Sequence, residues 1–229
     1  GNLWLKMGRR NIINAIDLSS LGLDKIEEDE GGFRIGCMAT LHDIETHEGL
    51  NKEFQNLFKE AVRHIVGVQF RNCATIGGSI FPKLGFSDVL TAFLACDTQV
   101  ILYKKGEVPL REFIYIPTDN DILTHLYVKK DGRKTAYESF RMTETDFPTI
   151  TDRKTQDGFE TVLGARPKHA EVVVDEVVAD AFSSEEVSDY AKRVIGKLQY
   201  GSNIRGSEQY RKQLSKVLIG RCISRLTEE

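Results

Sequence analysis

Hydrophobic positions recur at two different periods along this chain. In the first half, short alternating runs surround one long helical pattern. Phe33-Arg34-Ile35-Gly36-Cys37 alternates and predicts a strand, entered from Glu27-Glu28-Asp29-Glu30-Gly31-Gly32, an acidic run that reads as a solvated hairpin tip. Leu3 to Met7 reads as a shorter strand. Thr40 caps a helix start at Leu41-His42-Asp43-Ile44, and from Asn51 to Val66 the residues Phe54, Leu57, Phe58, Ala61, Val62 and Ile65 share one helical face. That spacing predicts one helix with its apolar stripe on the core. Asp88 to Ala95 reads as a second helix with Asp88 as its cap. Gln99 to Tyr103 then forms a strand, which Lys104-Lys105-Gly106-Glu107 turns back into Val108-Pro109-Leu110. Asp121 to Val128 alternates as a half-buried strand.

The most polar break follows, at Lys129-Lys130-Asp131-Gly132-Arg133-Lys134, and it divides the chain into units 1–130 and 131–229. Beyond it, Thr135 to Phe140, Gly158 to Leu163 and Ala170 to Val178 read as strands of an antiparallel sheet. Ser184 to Leu198 and Ser207 to Arg225 carry helical periodicity. The fold class is α+β, a larger first domain and a smaller second one of antiparallel sheet and helices.

Composition narrows the function classes. The chain has 229 residues, 41% hydrophobic and 28% charged, enough apolar surface for one large core or two small ones. With 31 Lys+Arg against 34 Asp+Glu the formal net charge is -3, which argues against a nucleic-acid-binding surface. No apolar stretch reaches the roughly 18 residues of a membrane span. Four scattered cysteines without a C-x-x-C pair point to a reducing cytoplasm rather than to zinc or an iron-sulfur cluster on this chain. The five histidines lack metal spacing, His42 and His47 standing five apart on different sides of a helix. The chain opens on Gly1 rather than Met, without a signal peptide, so the expectation is a segment of a longer protein or a start that follows processing.

Candidate chemistry concentrates in Gln69-Phe70-Arg71-Asn72-Cys73-Ala74-Thr75-Ile76-Gly77-Gly78-Ser79-Ile80. Two adjacent glycines make a tight loop whose N–H groups can converge on an anion, with the Thr75 and Ser79 hydroxyls beside them. The same pattern also suits a plain turn. Ser87-Asp88, before an apolar helix, reads either as a helix cap or as a carboxylate that accepts hydrogen bonds from sugar or polyol hydroxyls.

Arg71-Asn72-Cys73-Ala74-Thr75-Ile76-Gly77-Gly78-Ser79 with Ser87-Asp88 resembles the R-N-x-A-T-I-G-G-N … S-D signature of xanthine dehydrogenase family flavoproteins, the medium, FAD-binding subunits of molybdenum hydroxylases. Gly1-Asn2-Leu3-Trp4-Leu5-Lys6-Met7 is similar to the later part of that family's A-G-G-T-D-L-L-V-K-M loop. Asn14 to Leu18, Ile35 to Leu41, Gly164-Ala165-Arg166-Pro167 and Ser207-Glu208-Gln209-Tyr210-Arg211 resemble further family segments in the same order. The likeness departs at Ser79, where relatives carry Asn, and at Ser139, where many carry a lysine close to the flavin.

The resemblance implies an FAD-binding domain of the vanillyl-alcohol-oxidase type, truncated at its N-terminus, followed by the smaller C-terminal flavoprotein domain. Thr75, Ile76, Gly77, Gly78 and Ser79 would wrap the FAD pyrophosphate and ribityl chain, with Ser87 and Asp88 at a ribityl or ribose hydroxyl. Gly1, Asn2 and Leu3 would belong to a first pyrophosphate loop. Ile122 and Leu123 stand where relatives pack aliphatic side chains on the flavin or adenine, or serve as ordinary strand core. As implied by the family, electrons would pass from iron-sulfur clusters on a partner chain, fed by a molybdopterin subunit, through FAD to NAD or another acceptor. No residue of this chain is assigned as a catalytic acid or base. The rival implied by Ser79 and Ser139 is an assembly subunit of the same fold that has lost productive FAD binding.

Overall fold

The computed structural model describes residues 6–9, 11–117, 119–146, 152–155, 158–175 and 183–227. Among these, a first antiparallel sheet joins β1 (Ile26–Glu28), β2 (Gly32–Gly36), β3 (Thr98–Leu102), β4 (Gly106–Pro109) and β5 (Leu123–Lys129) in the order β1-β2-β5-β3-β4. The central strand is β5, the Asp121–Val128 pattern. Leu126 sits between Ile35 on β2 and Val100 on β3, and all three are fully buried. At the hairpin tip between β1 and β2, Asp29 Oδ1 accepts from the N–H groups of Gly31 and Gly32, which closes the acidic turn.

Short helices cover one face of this sheet: α1 (Leu41–Thr46), α2 (Glu48–Glu53), α3 (Leu57–Val62), α4 (Val68–Arg71), α5 (Ile76–Ile80), α6 (Asp88–Leu94) and α7 (Leu110–Phe113). Thr40 caps α1 in a capping box with Asp43, and His47 caps α2 through Nδ1. The single helix expected from Asn51 to Val66 is two, α2 and α3. Gln55 and Asn56 adopt φ of 45° and 61°, and Asn56 N–H bonds back to the Asn51 carbonyl at 2.7 Å. The apolar face survives the break: Phe54, Leu57, Phe58, Ala61 and Val62 are buried, and Phe33, Phe54, Phe58 and Phe93 follow one another with ring centroids 6.1, 5.4 and 4.6 Å apart.

The second sheet runs β6 (Thr135–Ala136), β7 (Asp152–Thr155), β8 (Gly158–Leu163) and β9 (Glu171–Asp175) in sequential antiparallel order. The strand expected over Thr135 to Phe140 ends at Ala136. Two helices, α8 (Ser184–Lys197) and α9 (Glu208–Thr227), lie against this sheet and build a second apolar cluster around Tyr190, Val194, Leu218, Ile219 and Ile223. Ser183, one residue before the expected start, caps α8 with Glu186. The basic break is tied down at its surface, with Lys129 on Asp97, Lys130 on Glu28 and Arg133 on Asp131.

The two sheets share core. Tyr137, Val162 and Ala170 belong to the first apolar cluster, Thr135 Oγ1 donates to the Phe54 carbonyl at 2.7 Å, and Arg111 donates to Glu160 at 3.2 Å. Gly164 is held where a Cβ would lie 2.4 Å from Thr91 Oγ1 on α6, so only glycine lets the end of β8 approach that helix. No helix among the described residues is long and apolar enough to cross a membrane.

Candidate flavin site

Thr75 to Ser79 forms a helical turn rather than the expected loop: Thr75 is the cap of α5 and the two glycines lie in its first turn. The glycines do different jobs. Gly77 faces the chain after β2, where a Cβ would stand 2.8 Å from Cys37 Cβ and 2.9 Å from its carbonyl oxygen. Its N–H donates to that carbonyl at 2.8 Å, and the Ile76 N–H donates to Ala39 at 2.9 Å. These two donors fix the turn against the sheet. Gly78 is exposed, and its N–H is held only by Thr75 Oγ1 at a long 3.3 Å. Ile76 is fully buried, so the outward surface of the turn consists of the Thr75 hydroxyl, Gly78 and Ser79.

Arg71 anchors the approach to this turn. Its guanidinium makes two bonds to Glu45 at 2.7 and 3.1 Å, both side chains mostly buried, and the pairing holds the Glu45 carboxyl below its usual range despite its burial.

Ser87 and Asp88 sit beside α5. Ser87 Oγ donates to the Ser79 carbonyl at 3.2 Å and accepts from the Leu90 N–H at 3.1 Å, so Ser87, not Asp88, is the cap of α6. Asp88 is freed from capping because the smaller hydroxyl already meets the helix N–H groups. Its carboxylate turns inward, 5% exposed, where Oδ1 accepts from Tyr137 Oη at 2.6 Å and Arg141 Nη2 at 2.8 Å. Burial pushes its pKa up to about 6 from 3.8, against the opposing pull of Arg141 and Tyr137. The same burial, with the Asp88 charge alongside, raises the Tyr137 phenol well above its usual value.

Tyr137 and Arg141 are functional candidates that the motif reading passed over. They stand 49 and 53 residues from Asp88 in the chain, and no local spacing connects them. Ser139, between them, hydrogen-bonds toward Tyr137 and supplies no cation there. Leu123 is buried in the first core and Ile122 is half-buried, its carbonyl accepting from the Tyr103 N–H at 2.8 Å. The chain next to Ile122 meets the site indirectly, since Thr124 accepts from the Cys37 N–H at 2.8 Å and Cys37 is the wall behind Gly77. Gly1, Asn2 and Leu3 lie outside the described residues.

Two features suit a dinucleotide. Only Thr75 Oγ1, at 3.1 Å, comes near where a Gly78 Cβ would stand, so an anion meets backbone and hydroxyls there without a side chain in the way. At the other end, Arg141 Nε is buried beside Asp88 with no acceptor, a donor awaiting a partner. Thr75, Gly78 and Ser79 make the outward surface of the α5–α6 junction, with Ser87 tied to Ser79 and the Asp88 carboxylate turned inward behind it.

Residues 2–128 match the family described as the FAD binding domain in molybdopterin dehydrogenase, and the chain belongs to that family. It is an oxidoreductase subunit of the xanthine dehydrogenase type, and FAD is its cofactor. The glyceraldehyde dehydrogenase medium chain of Sulfolobus acidocaldarius is 26% identical over 223 residues, covering 89% of this chain and 79% of that one. Protein YgfM of Escherichia coli strain K12 is 23% identical over 212 residues, covering 90% of this chain and 77% of the relative. In structure, the carbon monoxide dehydrogenase of Hydrogenophaga pseudoflava superposes with a TM-score of 0.75 at 22% identity, over 88% of this chain and 77% of that one, which shows the fold.

Proposed function

We propose that this chain is the electron-transfer subunit of a multi-subunit molybdenum hydroxylase, taking electrons from iron-sulfur clusters on a partner chain and delivering them to NAD or another acceptor. The observation that carries this reading is the junction of α5 and α6, where the exposed Thr75–Gly78–Ser79 turn and the Ser87–Asp88 pair are tied together at 3.2 Å. When bound, FAD supplies the redox chemistry, accepting electrons and releasing them one or two at a time.

The chain's own residues hold and tune. Thr75, Gly78 and Ser79 present a hydroxyl, an N–H and a second hydroxyl to the pyrophosphate, while Ile76 and Gly77 lock the turn onto the sheet. Ser87 and Asp88 bind hydroxyls of the ribityl or ribose part. Arg141 keeps Asp88 ionised at neutral pH in a buried setting, so the carboxylate stays an acceptor, and Tyr137 fixes its orientation. Gly1, Asn2, Leu3, Ile122 and Leu123 complete the proposed binding set. Units 1–130 and 131–229 divide the labour: the first carries the turn and Asp88, the second brings Tyr137 and Arg141. The iron-sulfur and molybdopterin groups belong to partner subunits in a cytoplasmic complex.

The test is reconstitution with the iron-sulfur and molybdopterin subunits. Substrate should bleach the flavin absorbance only when the iron-sulfur chain is present. Bleaching without it would point to a self-standing flavin oxidase, and a complex that assembles around a colourless chain would point to the assembly subunit.

A further inference from the structure

Three arginines among the described residues are buried with an Nε that finds no acceptor: Arg141, Arg166 and Arg211. Two of them have a carboxylate to answer their charge, Arg141 at 2.8 Å from Asp88 and Arg166 at 2.6 Å from Glu171. Arg211 has none among the described residues. Its Nη1 donates to the Ala165 carbonyl and its Nη2 to Asn203 Oδ1, both at 2.6 Å and both neutral acceptors. Arg211 is 5% exposed, and burial, with Arg205 close by, draws its pKa down. A guanidinium does not give up its proton at ordinary pH, so the cation remains. A buried cation without a counter-charge is costly, and an anion brought to its free N–H edge recovers much of that cost.

That side chain lines a cavity of about 310 Å³. Phe86, Phe140, Met142 and Tyr210 form its apolar wall, with the Phe140 and Tyr210 rings edge to face at 6.3 Å. Asp146 and Arg205 also reach the cavity and pair with each other at 2.8 Å, which leaves Arg211 as the cation that lacks an acidic partner. Nε is buried, but Nη1 and Nη2 each keep one N–H beyond those given to Ala165 and Asn203, and such a pair matches a planar carboxylate. A doubly charged phosphate would need a second such cation.

We propose that this cavity binds a small aromatic carboxylate, its carboxylate on Arg211 and its ring against the wall of Phe86, Phe140 and Tyr210. The volume lies at the lower end of small-molecule sites and suits a one- or two-ring ligand. The cavity is next to the candidate flavin site: Gly85 and Phe86 directly precede Ser87 and Asp88, and Phe140 directly precedes Arg141. The inference stands independently of flavin binding.

Isothermal titration calorimetry of the chain with sodium benzoate, and with benzamide as its neutral isostere, tests it. Benzoate should bind at least about tenfold more tightly than benzamide at matched ionic strength. Arg211→Gln should abolish that preference. Because Arg211→Gln also removes the tie to Ala165 and could unfold the second domain, Met142→Trp provides the second variant: Met142 is 63% exposed at the rim, so the indole should fill the cavity and block benzoate with the unfolding temperature unchanged. Equal affinity for benzoate and benzamide, no binding of either, or benzoate binding unaffected by Met142→Trp would each overturn the proposal. Since no flavin is added, a chain that binds benzoate yet stays colourless with FAD would sink the flavin assignment alone.

Discussion

At Asp88, burial outweighs the help of its partners. With a folded pKa of about 6 against an ordinary 3.8, the folded state holds the proton more tightly than the unfolded chain does. The group therefore favours folding most below pH 3.8, and that contribution is lost as pH rises through about 6. A displacement of this size corresponds to about 3 kcal/mol. Asp88→Asn, which resembles the protonated acid, is expected to be at least as stable as the parent at pH 7 and to lose its advantage near pH 4, as urea unfolding at both pH values would show. An Asn variant weaker by more than about 1 kcal/mol at pH 7 would mean that the Arg141 pair repays the burial of the charge. In the proposed function Asp88→Asn still weakens FAD binding, so stability and function part company at this residue.

The adjacent glycines give a matched pair of residue-scale tests. Gly77→Ala drives a Cβ into Cys37 and is expected to cost about 1 to 3 kcal/mol in chemical denaturation. Gly78→Ala meets only Thr75 Oγ1 at 3.1 Å on an exposed turn and should change stability by less than about 1 kcal/mol, while lowering FAD affinity. If both variants unfolded alike, the division of roles between them would be wrong.

At the scale of elements, what the sequence made legible was the pattern of burial; what it hid was where helices stop. Phe54 to Ile65 shows an unbroken helical stripe, and those side chains do face the core. The break between α2 and α3 sits at the left-handed Gln55 and Asn56, and the buried Asn51 bridges it: its Oδ1 accepts from the Lys59 N–H, while its Nδ2 donates to the carbonyls of Ile44, Glu45 and His47 at the α1–α2 junction. One side chain thus ties three short helices together, and no periodicity reveals that. Asn51→Ala should cost about 2 to 4 kcal/mol, read from the urea midpoint, because it strands several buried backbone groups. The glycine turn was legible as a motif but not as a helix, since its backbone is set by Cys37 and Ala39 in a distant part of the chain. Ser87 and Asp88 were legible as a pair; that Ser87 caps α6 while Asp88 turns inward to Tyr137 and Arg141, from the chain after β6, was not.

For the whole molecule, the surroundings of Asp88 and the first apolar cluster are completed by residues beyond 130. Tyr137 and Arg141 cover Asp88, and Val162 and Ala170 complete the first apolar cluster. A fragment ending at residue 130 would leave the Asp88 carboxyl uncovered and that cluster open. It is expected to unfold at a clearly lower temperature than the whole chain, as circular dichroism would record; an unchanged melting temperature would show that the second unit adds no support. The central claim, that this chain holds FAD across the α5–α6 junction, is tested most directly by its visible absorption spectrum after incubation with FAD and removal of the excess. Bands near about 370 and 450 nm, close to one flavin per chain and much reduced by Gly78→Ala, are the result the account predicts. A chain that stays colourless, or one whose flavin content is indifferent to Gly78→Ala, would contradict it.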